Sequence, residues 1–117
     1  MISDLPDNSE ADLYMDALEK TMSYVEDQEI DFLFYIAGAD PYIEDTLGRL
    51  NISREGLASR DKRVLSYAYE NEIPVVVVFG GGYCETISKT VEINLETIEI
   101  ARSIYDYKFE LNNVAAV

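Results

Sequence analysis

Two residues able to do chemistry follow the two most apolar segments of the chain. Asp40 comes shortly after the apolar run Phe32–Ile36, and Tyr83 follows the run Val75–Phe79 and three consecutive glycines, Gly80–Gly82. An Asp carboxylate can bind a metal ion, and a Tyr hydroxyl can donate a hydrogen bond to a developing oxyanion. Parallel sheets bind ligands beyond the carboxyl ends of their strands, so we predict that Asp40 and Tyr83 face one cavity.

Each of these features also has a purely structural interpretation. An Asp before a proline, as in Asp40-Pro41, is typical of a turn or a helix cap. Three glycines in a row make a tight turn, and they lack the GxGxxG and GxxxxGK[ST] spacing of phosphate-binding loops. Cys84 is expected to be a small buried residue, because nothing cationic nearby favours a thiolate.

The ionisable residues exclude several classes of function. The 117 residues include 9 Lys and Arg, 23 Asp and Glu, no His and one Cys, for a formal net charge of −14. Without His, the chain lacks the base of a Ser-His-Asp triad and any His metal ligand. One Cys makes no intrachain disulfide, CxxC redox pair or thiolate zinc cage. The surplus of acid argues against nucleic acid and anionic membranes as partners, since both bind through positive charge.

No segment has the pattern of a membrane span or a targeting signal. The longest apolar run, Ile73–Phe79, is far shorter than the roughly 20 residues that cross a bilayer. Residues 1–12 hold four acidic side chains and no cation, the reverse of a signal or transit peptide. We therefore expect a cytoplasmic protein.

Three segments show the helical spacing of apolar residues. The first follows a turn-rich lead-in, in which Ser9 is a weak capping signal, and runs to about Asp27. The second has Ser53 as its N-cap and stops before Pro74, and the third spans about Glu85 to Ser103. The apolar positions are Tyr14, Leu18, Met22 and Val25 in the first, Leu57, Val64, Leu65 and Ala68 in the second, and Ile87, Val91, Leu95 and Ile98 in the third.

The two apolar runs predict strands buried on both faces, which is typical of parallel sheets. The helix between them completes a strand, crossover and strand unit. The segment Tyr105–Leu111 alternates apolar and polar residues and indicates a further, half-buried strand. The prediction is an α/β fold in which a parallel sheet has helices on both faces, formed as a single domain by residues 1–117.

A series of short motifs between about Leu5 and Ala101 resembles a known family. The motifs are Asp31–Tyr42, Asp45–Leu50, Ser53, Gly56-Leu57, Arg60-Asp61, Val64, Ile73–Val75 and Gly80–Tyr83. In order and spacing they resemble the C-terminal part of the zinc-dependent histone deacetylase family, including its bacterial acetoin-utilisation and acetylpolyamine amidohydrolase-like members. One motif alone carries little information, but the set is specific.

The resemblance implies an arginase-deacetylase α/β fold and zinc-dependent hydrolysis of acetyl amides such as acetyl-lysine or acetylpolyamine. Asp40, in Ala-Gly-Ala-Asp-Pro, matches the last zinc-binding Asp of the family. Tyr83, in Gly-Gly-Gly-Tyr, matches the Tyr that polarises the acetyl carbonyl. Gly80, Gly81 and Gly82 match the loop that shapes the substrate channel.

The chain departs from this family in having no His. The family holds its zinc with two Asp and one His and uses a pair of His on the attacking water. The His pair and the Asp-x-His zinc motif lie upstream of the region that this chain resembles. A catalytic zinc normally has three protein ligands, so Asp40 alone is not a zinc site. We expect the chain alone to bind no zinc and to be inactive.

Three accounts of an incomplete site are open. In the first, the upstream half of a deacetylase domain supplies the missing His and Asp residues and pairs with open strand edges of this chain. In the second, the chain is a non-catalytic remnant that folds alone or forms a homo-oligomer, with Tyr105–Leu111 as a pairing strand. In the third, the sequence is a fragment of a full-length protein.

Overall fold

The computed structural model describes the backbone of residues 4–114 and the side chains of residues 4–106. Its elements in chain order are α1 (Ala11–Glu26), β1 (Leu33–Ile36), α2 (Arg54–Glu70), β2 (Val75–Val78) and α3 (Ile87–Val114). This is the order of helices and strands that the sequence pattern predicts. Within the described residues, none of the helices combines the length and the apolar character that a bilayer crossing demands.

The helix starts follow from local capping chemistry. The Ser53 side chain accepts a hydrogen bond from the Gly56 backbone N–H at 3.1 Å, which confirms Ser53 as the N-cap of α2. The N-cap of α1 is Glu10, whose side chain makes no capping hydrogen bond. The Ser9 hydroxyl instead donates to the Pro6 carbonyl at 2.6 Å, so the weak capping signal at Ser9 belongs to the preceding turn.

The strands β1 and β2 form a two-stranded parallel sheet within the described residues. Leu33 is paired with Val75 and Ile36 with Val78, in unbroken register. Parallel neighbours need a crossover connection, and α2 supplies it. The α/β class and the strand, crossover and strand unit are therefore confirmed.

One face of this sheet is covered by all three helices. The side chains of Leu33, Val75 and Val77 pack against a core to which each helix contributes. The large apolar surface that this core removes from water is the main source of stability for the segment. Its buried members are Met22, Tyr35, Ala37, Val64, Leu65, Tyr67 and Ile100.

The opposite face of the sheet is exposed in the described residues. A strand that is apolar on both faces indicates cover on both faces, but the three helices all join one core, so the predicted helices on the second face are not among residues 4–114. The exposed side chains of this face are Phe34, Ile36, Val76 and Val78, which are 70%, 69%, 40% and 41% exposed.

The strand predicted at Tyr105–Leu111 is wrong, because α3 continues through this segment to Val114. Neither glycine nor proline follows Gly82 in the sequence, so no helix breaker ends α3 earlier. From its helical position, the Tyr105 ring packs edge-on against Tyr69 of α2, with ring centroids 5.2 Å apart. The side chains beyond residue 106, which include the rest of the alternating pattern, lie outside the described part of the chain.

The helix α3 is apolar on two sides. Its inner side buries Ile93, Thr97 and Ile100 against the rest of the molecule. The row of apolar residues that predicted the helix lies on the outer side, so the helix is confirmed while its apolar row faces solvent. A helix with apolar residues on two sides is typically covered on both. The outer row consists of Ile87, Val91, Leu95 and Ile98, which are 76%, 56%, 51% and 50% exposed.

Candidate active site

The loops that follow β1 and β2 stay joined beyond the last paired residues. The Ala37 N–H donates to the Val78 carbonyl at 2.8 Å, and the Ala39 N–H donates to the Gly80 carbonyl at 3.2 Å. Ala37 and Ala39 are 1% and 0% exposed, so the turn that leads to Asp40 is seated on the core. Asp40 therefore lies beside the glycine loop, at the edge of the sheet where α/β proteins bind ligands.

The Asp40 carboxylate packs directly against the second glycine of that loop. A β-carbon on Gly81 would lie 2.2 Å from Asp40 Oδ1, and the Gly81 φ of 69° is one that residues with side chains rarely adopt. A β-carbon on Gly38 would lie 2.7 Å from both Asp40 Oδ1 and the Gly80 carbonyl oxygen. The position of this carboxylate thus depends on glycine at both places.

Tyr83 is held through its backbone, while its side chain stays 52% exposed. Its N–H donates to Asp45 Oδ2 at 2.6 Å. Its carbonyl accepts from the Thr46 N–H at 3.2 Å and from the Thr46 hydroxyl at 2.6 Å. The backbone position is fixed and the ring is exposed, so the hydroxyl can donate a hydrogen bond to a bound ligand.

Asp45 ties the loop that carries Asp40 to the loop that carries Tyr83. Besides the Tyr83 N–H, it accepts hydrogen bonds at Oδ1 from the backbone N–H groups of Leu47 at 2.9 Å and Gly48 at 2.7 Å. Sequence reasoning gave Asp45 no role of its own. An Asp three residues before a glycine is a signal of a type I turn, and it was available in the sequence.

A buried polar network lies beneath these loops. Asp61 of α2 is 2% exposed and accepts hydrogen bonds from the Tyr35 hydroxyl and, at 2.5 Å, from the Thr97 hydroxyl. Arg60 Nε donates to Asp61 Oδ1 at 2.9 Å, and Arg60 Nη1 donates to the Gly38 carbonyl at 2.6 Å. The network thus links α2, α3 and β1 to the turn that precedes Asp40.

Burial and neighbouring charges set the protonation states in this network. Burial by itself lowers the pKa of the Arg60 guanidinium, but Tyr35 and Asp61 outweigh it, so the net pKa of Arg60 is raised. Burial raises the pKa of the Tyr35 hydroxyl, Arg60 opposes that rise, and Asp61 adds to it. Arg60 therefore stays charged, and Tyr35 keeps the proton that it donates to Asp61.

The described residues do not assemble a metal site by themselves. In residues 4–106, no group of three or more His, Cys, Asp or Glu side chains is arranged to hold a metal ion. Cys84 is 8% exposed and packs in a small core with Ala39 and Leu57, which confirms the expectation of a small buried residue. Asp40 can thus be at most one ligand of a metal centre.

The fold and the strand-end site define an α/β protein of the arginase-deacetylase type. The chain belongs to the histone deacetylase family, since the family model described as the histone deacetylase domain matches residues 1–98. This agrees with the resemblance in the sequence motifs between about Leu5 and Ala101.

Individual proteins show the same relationship. The chain is 33% identical over 102 residues to an uncharacterised protein of Picosynechococcus sp. and 35% identical over 68 residues to histone deacetylase 2 of Arabidopsis thaliana. It also superposes on the crystal structure of acetylpolyamine aminohydrolase from Burkholderia pseudomallei with a TM-score of 0.69, over 86% of this chain and at 17% sequence identity. That structure shows the shared fold.

The chain spans about a third or less of the length of these proteins. The matched part is 86% of this chain but 34% of the Picosynechococcus protein, and 58% of this chain but 18% of the Arabidopsis protein. The aligned part of the Burkholderia structure is 28% of that chain. The segment therefore represents a part of the domain that these relatives contain.

The structure brings the predicted site residues into one region. Asp40 lies against Gly81, and the backbone of Tyr83 is joined to the Asp40 loop through Asp45. Arg60-Asp61 is one of the motifs that carry the resemblance, and none of the sequence expectations covers its burial beneath the site. The roles of Asp40 as a zinc ligand and of Tyr83 as a carbonyl-polarising group stay predictions.

Proposed function

We propose that this segment supplies Asp40 and Tyr83 to an amidohydrolase site that removes acetyl groups from acetyl-lysine or acetylpolyamine. The packing of the Asp40 carboxylate against the glycine loop of Tyr83, at the strand ends of a histone deacetylase family member, supports this function most directly. Asp40 provides one carboxylate ligand for zinc. Tyr83 donates a hydrogen bond to the acetyl carbonyl oxygen, and Gly80–Gly82 shape the wall of the substrate channel.

In this proposal, the other zinc ligands and the base lie on polypeptide outside these 117 residues. The sequence has no His, and the described residues contain no ligand set for zinc, so the chain does not fit a complete zinc site. We therefore propose that the isolated chain neither retains zinc at micromolar concentration nor hydrolyses acetyl amides.

The same polypeptide is proposed to cover the exposed apolar surfaces. One is the sheet face that carries Phe34 and Ile36, and the other is the outer row of α3 that begins at Ile87. Contiguous apolar surface of this kind marks an interaction site in a soluble protein. The acid surplus argues against nucleic acid or membrane as the covering partner, and we place the assembly in the cytoplasm.

The test is reconstitution from two polypeptides. The chain is mixed with the segment encoded directly upstream, provided that it carries a His-His pair and an Asp-x-His motif. We expect zinc-dependent deacetylation of an acetyl-lysine peptide or an acetylpolyamine, its loss in Tyr83→Phe, and its retention in the control Tyr24→Phe, which alters a half-exposed tyrosine of α1. Deacetylation that survives Tyr83→Phe, or no activity in any such mixture, contradicts the proposal.

A second candidate function is a non-catalytic module that assembles with copies of itself. The exposed sheet face favours it, because self-association also covers apolar surface. The pairing strand expected for this module is absent, since α3 is helical there. Sedimentation of the purified chain separates the two functions: a tight homo-oligomer that shows no activity with the upstream segment supports the module.

A further inference from the structure

The turn that carries Asp40 is attached from below to a buried guanidinium. The Gly38 carbonyl, two residues before Asp40, accepts a hydrogen bond from Arg60 Nη1 at 2.6 Å. Arg60 is 4% exposed and reaches this carbonyl from α2 through the interior. The guanidinium is therefore largely shielded from water, which strengthens its charge-assisted hydrogen bond to the part-buried Gly38 carbonyl.

The orientation of Arg60 is itself fixed from three elements. Its Nε is held by Asp61 of α2, and the Asp61 carboxylate is held in turn by Tyr35 of β1 and Thr97 of α3. A guanidinium has several N–H donors in a rigid plane, so it can bond Asp61 and the Gly38 carbonyl at once. A lysine ammonium, which is a single point charge, does not have this fork.

The turn has further attachments through its own backbone. The Ala39 N–H donates to the Gly80 carbonyl at 3.2 Å and so ties the turn to the glycine loop. The Pro41 carbonyl, just after Asp40, accepts from the Ile52 N–H at 3.0 Å, next to the N-cap of α2. Arg60 holds the other end of the turn, so without Arg60 the Gly38 end loses its side-chain attachment to α2.

We infer that Arg60 is a positioning residue for Asp40, acting through the Gly38 carbonyl, with Asp61 holding Arg60 in place. The inference rests on the proposed function of Asp40, because the turn needs a fixed position only if Asp40 acts in the site. Arg60 touches neither substrate nor metal in this account. Its effect is to keep the Asp40 carboxylate in a fixed position relative to the other residues of the site, as residues that support metal ligands do.

The first experiment measures amide hydrogen exchange by NMR in the isolated full chain. Arg60→Lys keeps the charge beside Asp61 but loses the fork, and we expect the Ala39 amide to exchange on the order of tenfold faster relative to the β1 amides. The control Thr97→Val removes one hydrogen bond to Asp61 and leaves the bond from Arg60 to Gly38. It is expected to lower global stability and to raise the exchange ratio of Ala39 to β1 much less than Arg60→Lys does, because Tyr35 and Arg60 still bond Asp61.

A second measurement needs no substitution. In the wild-type chain, the Arg60 side-chain N–H signals should be resolved and slow to exchange, because two acceptors hold them in a buried site. Freely rotating, fast-exchanging Arg60 signals contradict the inference. An unchanged Ala39 ratio in Arg60→Lys, or an equal change in Thr97→Val, contradicts it as well.

The experiments distinguish a failure of the proposed function from a failure of the inference about Arg60. If the wild-type chain gives no deacetylation with the upstream segment, the proposed function fails, while the exchange data still decide whether Arg60 fixes the turn. If the mixture is active, Arg60→Lys should lower kcat on the order of tenfold and leave KM within about twofold, since a displaced ligand affects the reaction more than substrate binding. An unchanged kcat in Arg60→Lys overturns the inference.

Discussion

The carboxylate of Asp40 occupies the place where a side chain on Gly81 would stand. A β-carbon at residue 81 would lie 2.2 Å from Asp40 Oδ1 and 2.7 Å from Asp40 Cγ. The glycine loop and the Asp40 turn are thus shaped for each other, although they are far apart in the sequence.

Gly81→Ala should displace Asp40 and destabilise the chain. The substitution combines a clash with a positive φ, and such strain costs about 1–3 kcal/mol. Gly80→Ala is the matched control, because a β-carbon there meets only Ile36 Cγ2, at 3.1 Å, a side-chain atom that can move. Urea unfolding of both variants tests this, and equal losses of unfolding free energy contradict it.

Stability should fall at alkaline pH through Tyr35. Its pKa is raised in the folded chain, so the folded state keeps a proton that the unfolded state loses above about pH 10. The contribution is fully present below pH 10 and is lost as pH rises toward the folded-state pKa, by about 1.4 kcal/mol per pH unit. Tyr35→Phe should reduce this alkaline slope in unfolding free energy. A slope that is the same in both proteins would show that another group is responsible.

Ile36→Glu should prevent assembly without unfolding the chain. Ile36 is 69% exposed on the uncovered sheet face, so the change should alter the unfolding free energy of the isolated chain by no more than about 0.5 kcal/mol. A buried Glu at an apolar interface is costly, so complex formation with the upstream segment should be lost. Sedimentation of the mixture checks this, with Glu29→Gln, at an exposed position outside β1, as a surface control. Normal assembly of Ile36→Glu would show that the partner does not cover this face.

Features that depend on a local sequence pattern could be predicted from the sequence. The apolar runs of β1 and β2, the Ser53 cap and the position of Asp40 and Tyr83 beyond the strand ends are confirmed. These features depend on neighbouring residues or on a rule that holds for parallel sheets in general. Roles such as metal binding depend on groups that are not in these 117 residues, so they stay predictions.

The features that the sequence pattern did not predict are the helical end of α3 and the burial of Arg60 and Asp61, which involve contacts between distant residues. Alternation at Tyr105–Leu111 resembled a strand, but α3 is helical there, and its Tyr105 packs against Tyr69 of α2. Arg60 and Asp61 are charged and adjacent, which usually means a solvated surface. Their spacing gave a signal nonetheless, because Asp61 lies four residues after Leu57 and three before Val64, on the inner face of α2.

The outer row of α3 makes the behaviour of the purified chain depend on ionic strength. Copies that each carry a net charge of −14 repel one another, and this repulsion opposes contact between their exposed rows. Salt shortens the range of the repulsion, from about 10 Å at 0.1 M to about 3 Å at 1 M, but leaves the apolar attraction in place. Dilute buffer should therefore keep the chain dispersed, and concentrated salt should bring out its tendency to associate.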